Sequence, residues 1–210
     1  MQTKGLFITF EGPDGSGKTT ISKLVYEKLS QLGYDALYTR EPGGIGISES
    51  IRDIILDVKN VNMDTRTEAL LYAASRRQHL VEKIIPAINA NKIVICDRFI
   101  DSSLAYQGFA RNIGVEEVLH INEFAIEGRF PDVTLFLDIS AQEGLNRIEG
   151  RSFKDRLDLE SIDFHNRVYE GYQLVLNKYK DRMVVIDAEK SIEAIVDEAV
   201  EVIIQVMANA

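Results

Sequence analysis

The segment Gly12-Pro13-Asp14-Gly15-Ser16-Gly17-Lys18-Thr19 sets glycines, a lysine and a hydroxyl residue at the spacing of a phosphate-binding loop. Glycines let the backbone curl so that successive N–H groups point inward, which makes an anion-binding concavity at a helix start. At this spacing Lys18 reaches the outer phosphates of a nucleotide and Thr19 offers its hydroxyl to Mg²⁺. The flanks suit that role. Leu6 to Phe10 reads as a buried strand, and Thr20 to Leu32 has the periodicity of an amphipathic helix.

Five further clusters carry chemistry, each with a plainer alternative. Arg40-Glu41-Pro42-Gly43-Gly44 combines a cation with glycines that permit close approach to a ligand, or is a tight turn. Asp97-Arg98-Phe99 offers a carboxylate for Mg²⁺ or its waters and a guanidinium to bridge phosphates, or forms an ion pair at a strand end. Tyr72 and Arg76 share a helix face, so they either stack on a flat base and bond its carbonyl or pair on a solvated surface. Arg77 points ~100° away, toward the surface. Asp101 to Gly108 opens with a helix cap and places Ser103, Tyr106 and Gln107 toward a cleft, or serves only capping and packing. Arg147, Arg151, Lys154 and Arg156 make a basic run that is either solvated or closes over a phosphoryl group.

The elements that must position these groups alternate along the chain. Strands are expected at Leu6–Glu11, Ala36–Thr39, Ile93–Asp97, Thr134–Asp138 and Val184–Asp187, several of them continuous apolar runs that need cover on both faces. Helices are expected at Thr20–Leu32, Ile47–Leu56, Thr65–Ile88, Ser102–Gln107, Glu116–Glu127, Ala141–Glu149, Phe164–Lys178 and Ile192–Met207. Pro86 should kink or end its helix near Ile85. Gly150 to Arg156 breaks the periodicity and reads as a mobile loop. The alternation predicts an α/β fold, a parallel sheet with helices on both faces, whose ligands sit beyond the carboxyl ends of the strands. Glu11, Arg40, Asp97 and Asp138 stand at such ends.

At 210 residues, 45% hydrophobic and 27% charged, the chain is expected to form a single domain over 1–210 with a lid at about 149–158. A net charge of −9 opposes a nucleic-acid polymer as partner but not one nucleotide, which needs only a few local arginines. The single Cys96 lies in an apolar run and is expected in the core. One cysteine, no signal sequence and no long apolar run predict a cytoplasmic protein with no membrane association. His79, His120 and His165 have no ligand spacing and are expected on surfaces or helix faces, with no zinc site.

Taken in order, these clusters closely resemble thymidylate kinases, especially the bacterial enzymes. The matching pieces are Phe10 to Thr20, Thr39 to Gly44, Thr67-Glu68-Ala69-Leu70-Leu71-Tyr72-Ala73-Ala74-Ser75-Arg76-Arg77 and Asp97 to Gly108. The match continues through Pro131-Asp132 and Arg156-Leu157-Asp158. The resemblance implies a nucleoside monophosphate kinase fold with a five-stranded parallel sheet. It implies transfer of the ATP γ-phosphoryl group to dTMP, giving dTDP and ADP with Mg²⁺, by a homodimer packed through Ile47–Leu56 and Thr65–Ile88.

By the same resemblance, Gly12, Pro13, Asp14, Gly15, Ser16, Gly17, Lys18, Thr19 and Thr20 bind ATP, and Thr19 and Asp97 hold the metal, partly through water. Arg98, Arg40 and Arg52 address the acceptor phosphate end, with Glu41 and Ser103 in the same site. Tyr72 stacks on thymine, Arg76 and Gln107 contact its edge, Tyr106 crowds the sugar 2′ position and Asp14 approaches the 3′-hydroxyl. Lys18, Arg98, Arg151 and Arg156 carry the catalytic charge. Where some members have an arginine in the phosphate loop this chain has Asp14-Gly15-Ser16, so it resembles the subclass with basic lids. Two rivals are kept. A deoxynucleoside kinase needs a carboxylate base, for which Glu11 or Asp97 is available. A nucleotide switch needs Asn-Lys-x-Asp, and both Asn91-Lys92-Ile93-Val94 and Asn177-Lys178-Tyr179-Lys180 lack the aspartate.

Overall fold

Strands buried on both faces pair in parallel, and a computed structural model covering residues 4–149 and 155–209 has this arrangement. Five strands, β1 (Leu6–Glu11), β2 (Ala36–Arg40), β3 (Ile93–Asp97), β4 (Val133–Asp138) and β5 (Met183–Asp187), form one sheet in the order β2-β3-β1-β4-β5. Every pairing is parallel. Register brings the chemistry together: Asp97 stands opposite both Phe10 and Arg40, and Glu11 follows on β1 at the same edge. Arg151 and Lys154 of the expected basic lid lie outside the described residues.

Successive side chains on a strand point to opposite faces. Ile8, Phe10, Ile95, Leu135 and Leu137 therefore pack under α1 (Lys18–Gln31) and α9 (Ile192–Asn209). Phe7, Val94, Cys96 and Phe136 pack on the other face with Phe99, Leu104 and Tyr172. Cys96 is fully buried there, the core position expected for it. The remaining helices are α2 (Gly46–Leu56), α3 (Thr65–His79), α4 (Ile85–Asn89), α5 (Ile100–Ser103), α6 (Val115–Ile126), α7 (Ala141–Ile148) and α8 (Ile162–Lys178).

Two helices depart from expectation. The helix foreseen over Thr65–Ile88, with a kink or end near Ile85, is interrupted just before that residue by a wide π segment at Leu80–Ile84, where the Ile85 N–H bonds the Leu80 carbonyl. Pro86 has no N–H to donate, so the register slips before it and Pro86 falls in the first turn of α4, where no donor is needed. The helix foreseen at Ser102–Gln107 starts earlier, as α5, and widens into a second π segment at Leu104–Ala110. That segment carries Tyr106 and Gln107, a common place for such bulges to occur.

Candidate active site

The phosphate loop joins β1 to α1. Gly12, Gly15 and Gly17 all have positive φ, the conformation that a curled anion-binding turn requires and that glycine adopts freely. Gly15 is also indispensable for space, since a Cβ there would sit 1.9 Å from the Gly144 carbonyl of α7. Lys18 Nζ donates to the Pro13 carbonyl at 2.7 Å and to Ser16 Oγ at 3.3 Å, which keeps the ammonium beside the loop's own backbone. Burial, and then the neighbouring Arg98, lower its pKa to about 7. At the same helix start the Thr19 hydroxyl donates to Asp97 Oδ2 at 2.5 Å.

Arg98 follows β3 with φ of 70°, a conformation uncommon for a residue with a side chain. Its guanidinium pairs with Asp14 and donates to the Gly12 carbonyl (3.3 Å), Ser102 Oγ (3.2 Å) and the hydroxyls of Tyr172 (3.3 Å) and Tyr106 (3.4 Å). Tyr106 in turn donates to Asp14 Oδ2 at 2.8 Å. Burial by itself would raise the Asp14 pKa, but Arg98 and then Lys18 outweigh it and hold the carboxylate below its ordinary value. One cation thus touches both the phosphate loop and the floor of an adjoining cavity.

That cavity collects nearly all of the residues expected on the acceptor side. Asp14, Glu41, Arg52 and Arg98 line it together with Tyr72, Arg76, Ser103, Tyr106 and Gln107. Arg40 does not. It makes a two-pronged pair with Glu49 (2.8 and 2.9 Å) and opens on a neighbouring cleft, which it shares with Thr19, Lys23 and Lys83. Arg52 lines both openings. Residues that the sequence reading did not pick out also line the cavity, among them Leu56, Phe99, Ser102 and Leu157. Phe99 and Ser102 stood inside a segment already singled out. Leu157 lay in the matching piece Arg156-Leu157-Asp158, and Leu56 carried no signal, since nothing distinguishes a site leucine from a core one.

Arg76 is deeper than a solvated pair would be. It is 2% exposed and donates to Glu41 (2.8 Å), Ser103 (3.0 Å), Asn122 and the Phe99 carbonyl (2.9 Å). Arg77 bonds the Ala125 carbonyl and pairs with exposed Glu127, in keeping with its surface side. The histidines correct another expectation. His120 is exposed, but His79 is fully buried between Thr39 (2.7 Å) and Glu41 (3.0 Å), and His165 is buried 3.8 Å from Asp14. Each turns inward because a polar partner waits there. Arg156 also reverses its expected exposure. It is 8% exposed, donating to the Ile55 carbonyl at 2.8 Å and to Glu68 at 2.5 Å, because an acid buried on α3 attracts it.

Glu11, a conceivable base for a neutral hydroxyl, is fully buried and accepts from the Phe99 N–H (2.8 Å), the Ser102 N–H and hydroxyl (3.2 and 2.5 Å) and the Tyr172 hydroxyl (2.9 Å). Burial, and then Asp101, raise its pKa to about 7. Its oxygens are committed to holding Ser102 and Tyr172, which in turn hold Arg98.

A phosphate loop beside an arginine-lined cavity suits the joining of two phosphates, and comparison with known proteins agrees. The thymidylate kinase family model matches residues 10–199. The chain is 58% identical over 197 residues to the thymidylate kinase of Clostridium novyi (strain NT), covering 93% of this chain and 96% of that one. It is 56% identical over 194 residues to the thymidylate kinase of Geobacillus sp. (strain WCH70), covering 91% and 92%. A crystal structure of thymidylate kinase from Ehrlichia chaffeensis superposes with a TM-score of 0.77 at 36% identity, covering 95% of this chain and 98% of that one. The matched span takes in the loop, Arg98, the cavity and the α8 side chains packed on them, and the chain belongs to the thymidylate kinase family.

Proposed function

We propose that this chain transfers the γ-phosphoryl group of ATP to dTMP, giving dTDP and ADP, with the ATP phosphates on the loop and dTMP in the cavity. The observation that carries the reading is Arg98, bonded at once to the Gly12 carbonyl of the loop and to Asp14 and Tyr106 of the cavity. A guanidinium there faces both polyanions and offsets their repulsion.

The second pKa of a phosphate monoester is near ~6, so dTMP arrives at neutral pH as an oxyanion and needs no base. An acceptor oxygen forms the bond to the γ-phosphorus, the bond to the β–γ bridging oxygen breaks, and its electron pair leaves with ADP. The loop amides and Lys18 orient the donor, while Arg98 and Arg52 align the acceptor. Tyr72 stacks on thymine, Arg76 and Gln107 read its edge, and the Tyr106–Asp14 pair fits a sugar with a 3′-hydroxyl and no 2′-hydroxyl. Thr19 and Asp97 present hard oxygen donors that suit Mg²⁺, which when bound neutralises charge on the ATP phosphates. Arg151, outside the described residues, adds lid charge, whereas Arg156 is held by Glu68 and the Ile55 carbonyl and acts through that anchor.

The reading extends to a cytoplasmic homodimer. Ile47 and Ile54 of α2, Leu70 of α3 and Phe124 of α6 are exposed apolar groups, and a face of this kind favours a second copy.

A coupled ADP-release assay with dTMP and thymidine in parallel tests the activity. Turnover with dTMP alone is expected. Turnover with thymidine would make the chain a nucleoside kinase, and none with either would leave a nucleotide-binding protein without this chemistry.

A further inference from the structure

A glutamine amide presents a donor on one side and an acceptor of the same shape on the other, so what it reads depends on what fixes its orientation. Gln107 lines the cavity, and its Nε2 donates to Glu68 Oε1 at 2.9 Å. A carboxylate only accepts, so the NH₂ group is forced toward Glu68 and Oε1 is the amide atom left for a ligand. Glu68 is 1% exposed and is paired with Arg111, at 3.3 Å through Nε and Nη2, and with Arg156 at 2.5 Å.

Arg76 lines the same cavity. A guanidinium has five N–H groups, and four are spent on Glu41, Ser103, Asn122 and the Phe99 carbonyl. One donor remains, on Nη2. The cavity therefore offers a base an acceptor from Gln107 and a donor from Arg76. A 4-oxo pyrimidine complements that pair with its N3–H and O4, whereas a 4-amino pyrimidine offers an acceptor at N3 and a donor at N4 and mismatches both.

Building on the function proposed above, we infer that Glu68 is a positioning residue that sets base specificity: it locks the Gln107 amide so that the site takes a 4-oxo and rejects a 4-amino pyrimidine monophosphate. The same carboxylate holds Arg156, so the base-reading amide and the segment after residue 154 share one anchor.

The test compares full-length wild type with Glu68→Gln on dTMP and dCMP, reading kcat and KM separately. Glutamine either donates or accepts, so Gln107 becomes free to turn. The dTMP-to-dCMP ratio of kcat/KM is expected to narrow by about 10- to 100-fold, the value of leaving a buried partner unpaired, mostly through a higher KM for dTMP. A parallel fall on both substrates with an unchanged ratio would overturn the inference and make Glu68 a structural anchor only. Gln107→Leu, which leaves Glu68 with both arginines, guards against misfolding of the first variant. The ratio should narrow there too, and a wild-type ratio would sink the proposal. Failure of the wild type to turn over dTMP would instead remove the proposed function itself.

Discussion

Lys18 shows how much a single residue's surroundings matter. The motif places a lysine near phosphates, and folding then buries it beside Arg98, which brings its pKa down to about 7. A lowered lysine pKa means that the free protein loses this proton as pH rises through 7. Bound ATP phosphates favour the charged form and restore it. ATP binding at pH 8 should therefore take up protons, and ATP affinity should fall between pH 6 and pH 8. Calorimetry at pH 8 in two buffers of different ionisation enthalpy measures the uptake. Lys18→Ala should abolish it and lower kcat by about 10²- to 10³-fold. If wild type shows no uptake, the lysine is already charged before ATP arrives.

At the scale of elements, the segment from Asp155 to Asp158 is tied down rather than free. The Asp155 carboxylate accepts from the Leu157 and Asp158 N–H groups at 2.8 and 3.0 Å, and Arg156 reaches Ile55 at the end of α2 and Glu68 on α3. Arg156→Ala should consequently cost stability as well as rate. Breaking a buried ion pair costs ~3 kcal/mol at the low end of its range, the appropriate end here because Arg111 still faces Glu68. The melting temperature should drop by several degrees and kcat should fall with it. An unchanged melting temperature would show that the Arg156–Glu68 pair contributes nothing to the folded state. Arg76 is similar: with four of its donors spent on the protein, Arg76→Ala damages the fold as well as the grip on dTMP, so KM alone will not isolate its base contact.

For the whole molecule, the exposed apolar groups lie on neighbouring helices. Phe124 is 89% exposed on α6, and Leu70 and Ile47 are more than half exposed on α3 and α2. Large apolar side chains left in water on adjacent elements favour burial against a mate. Light scattering at micromolar concentration should give twice the 23.7 kDa chain mass. Phe124→Asp should shift that mass toward the monomer while leaving the melting profile of the separated chain intact. A monomer in the wild type would rule out the dimer.

The sequence by itself determined the sheet, the phosphate loop and most of the cavity. Continuous apolar runs mark strands, glycine spacing marks the loop, and i,i+4 spacing puts Tyr72 and Arg76 on one face; all are local signals. Tertiary structure decided what depends on partners distant in the chain. Arg40 turned to Glu49 and left the cavity, and Arg156, expected on an exposed loop as either a solvated or a lid cation, was drawn inward by an acid 88 positions earlier. His79 and His165 became buried because Glu41 and Asp14 meet them, and Glu68 acquired a role only when Gln107, Arg111 and Arg156 converged on it. A charge is chosen locally, but whether it faces water or a counter-charge is settled only when the helices pack, because Coulomb and desolvation energies depend on distance in space and not along the chain.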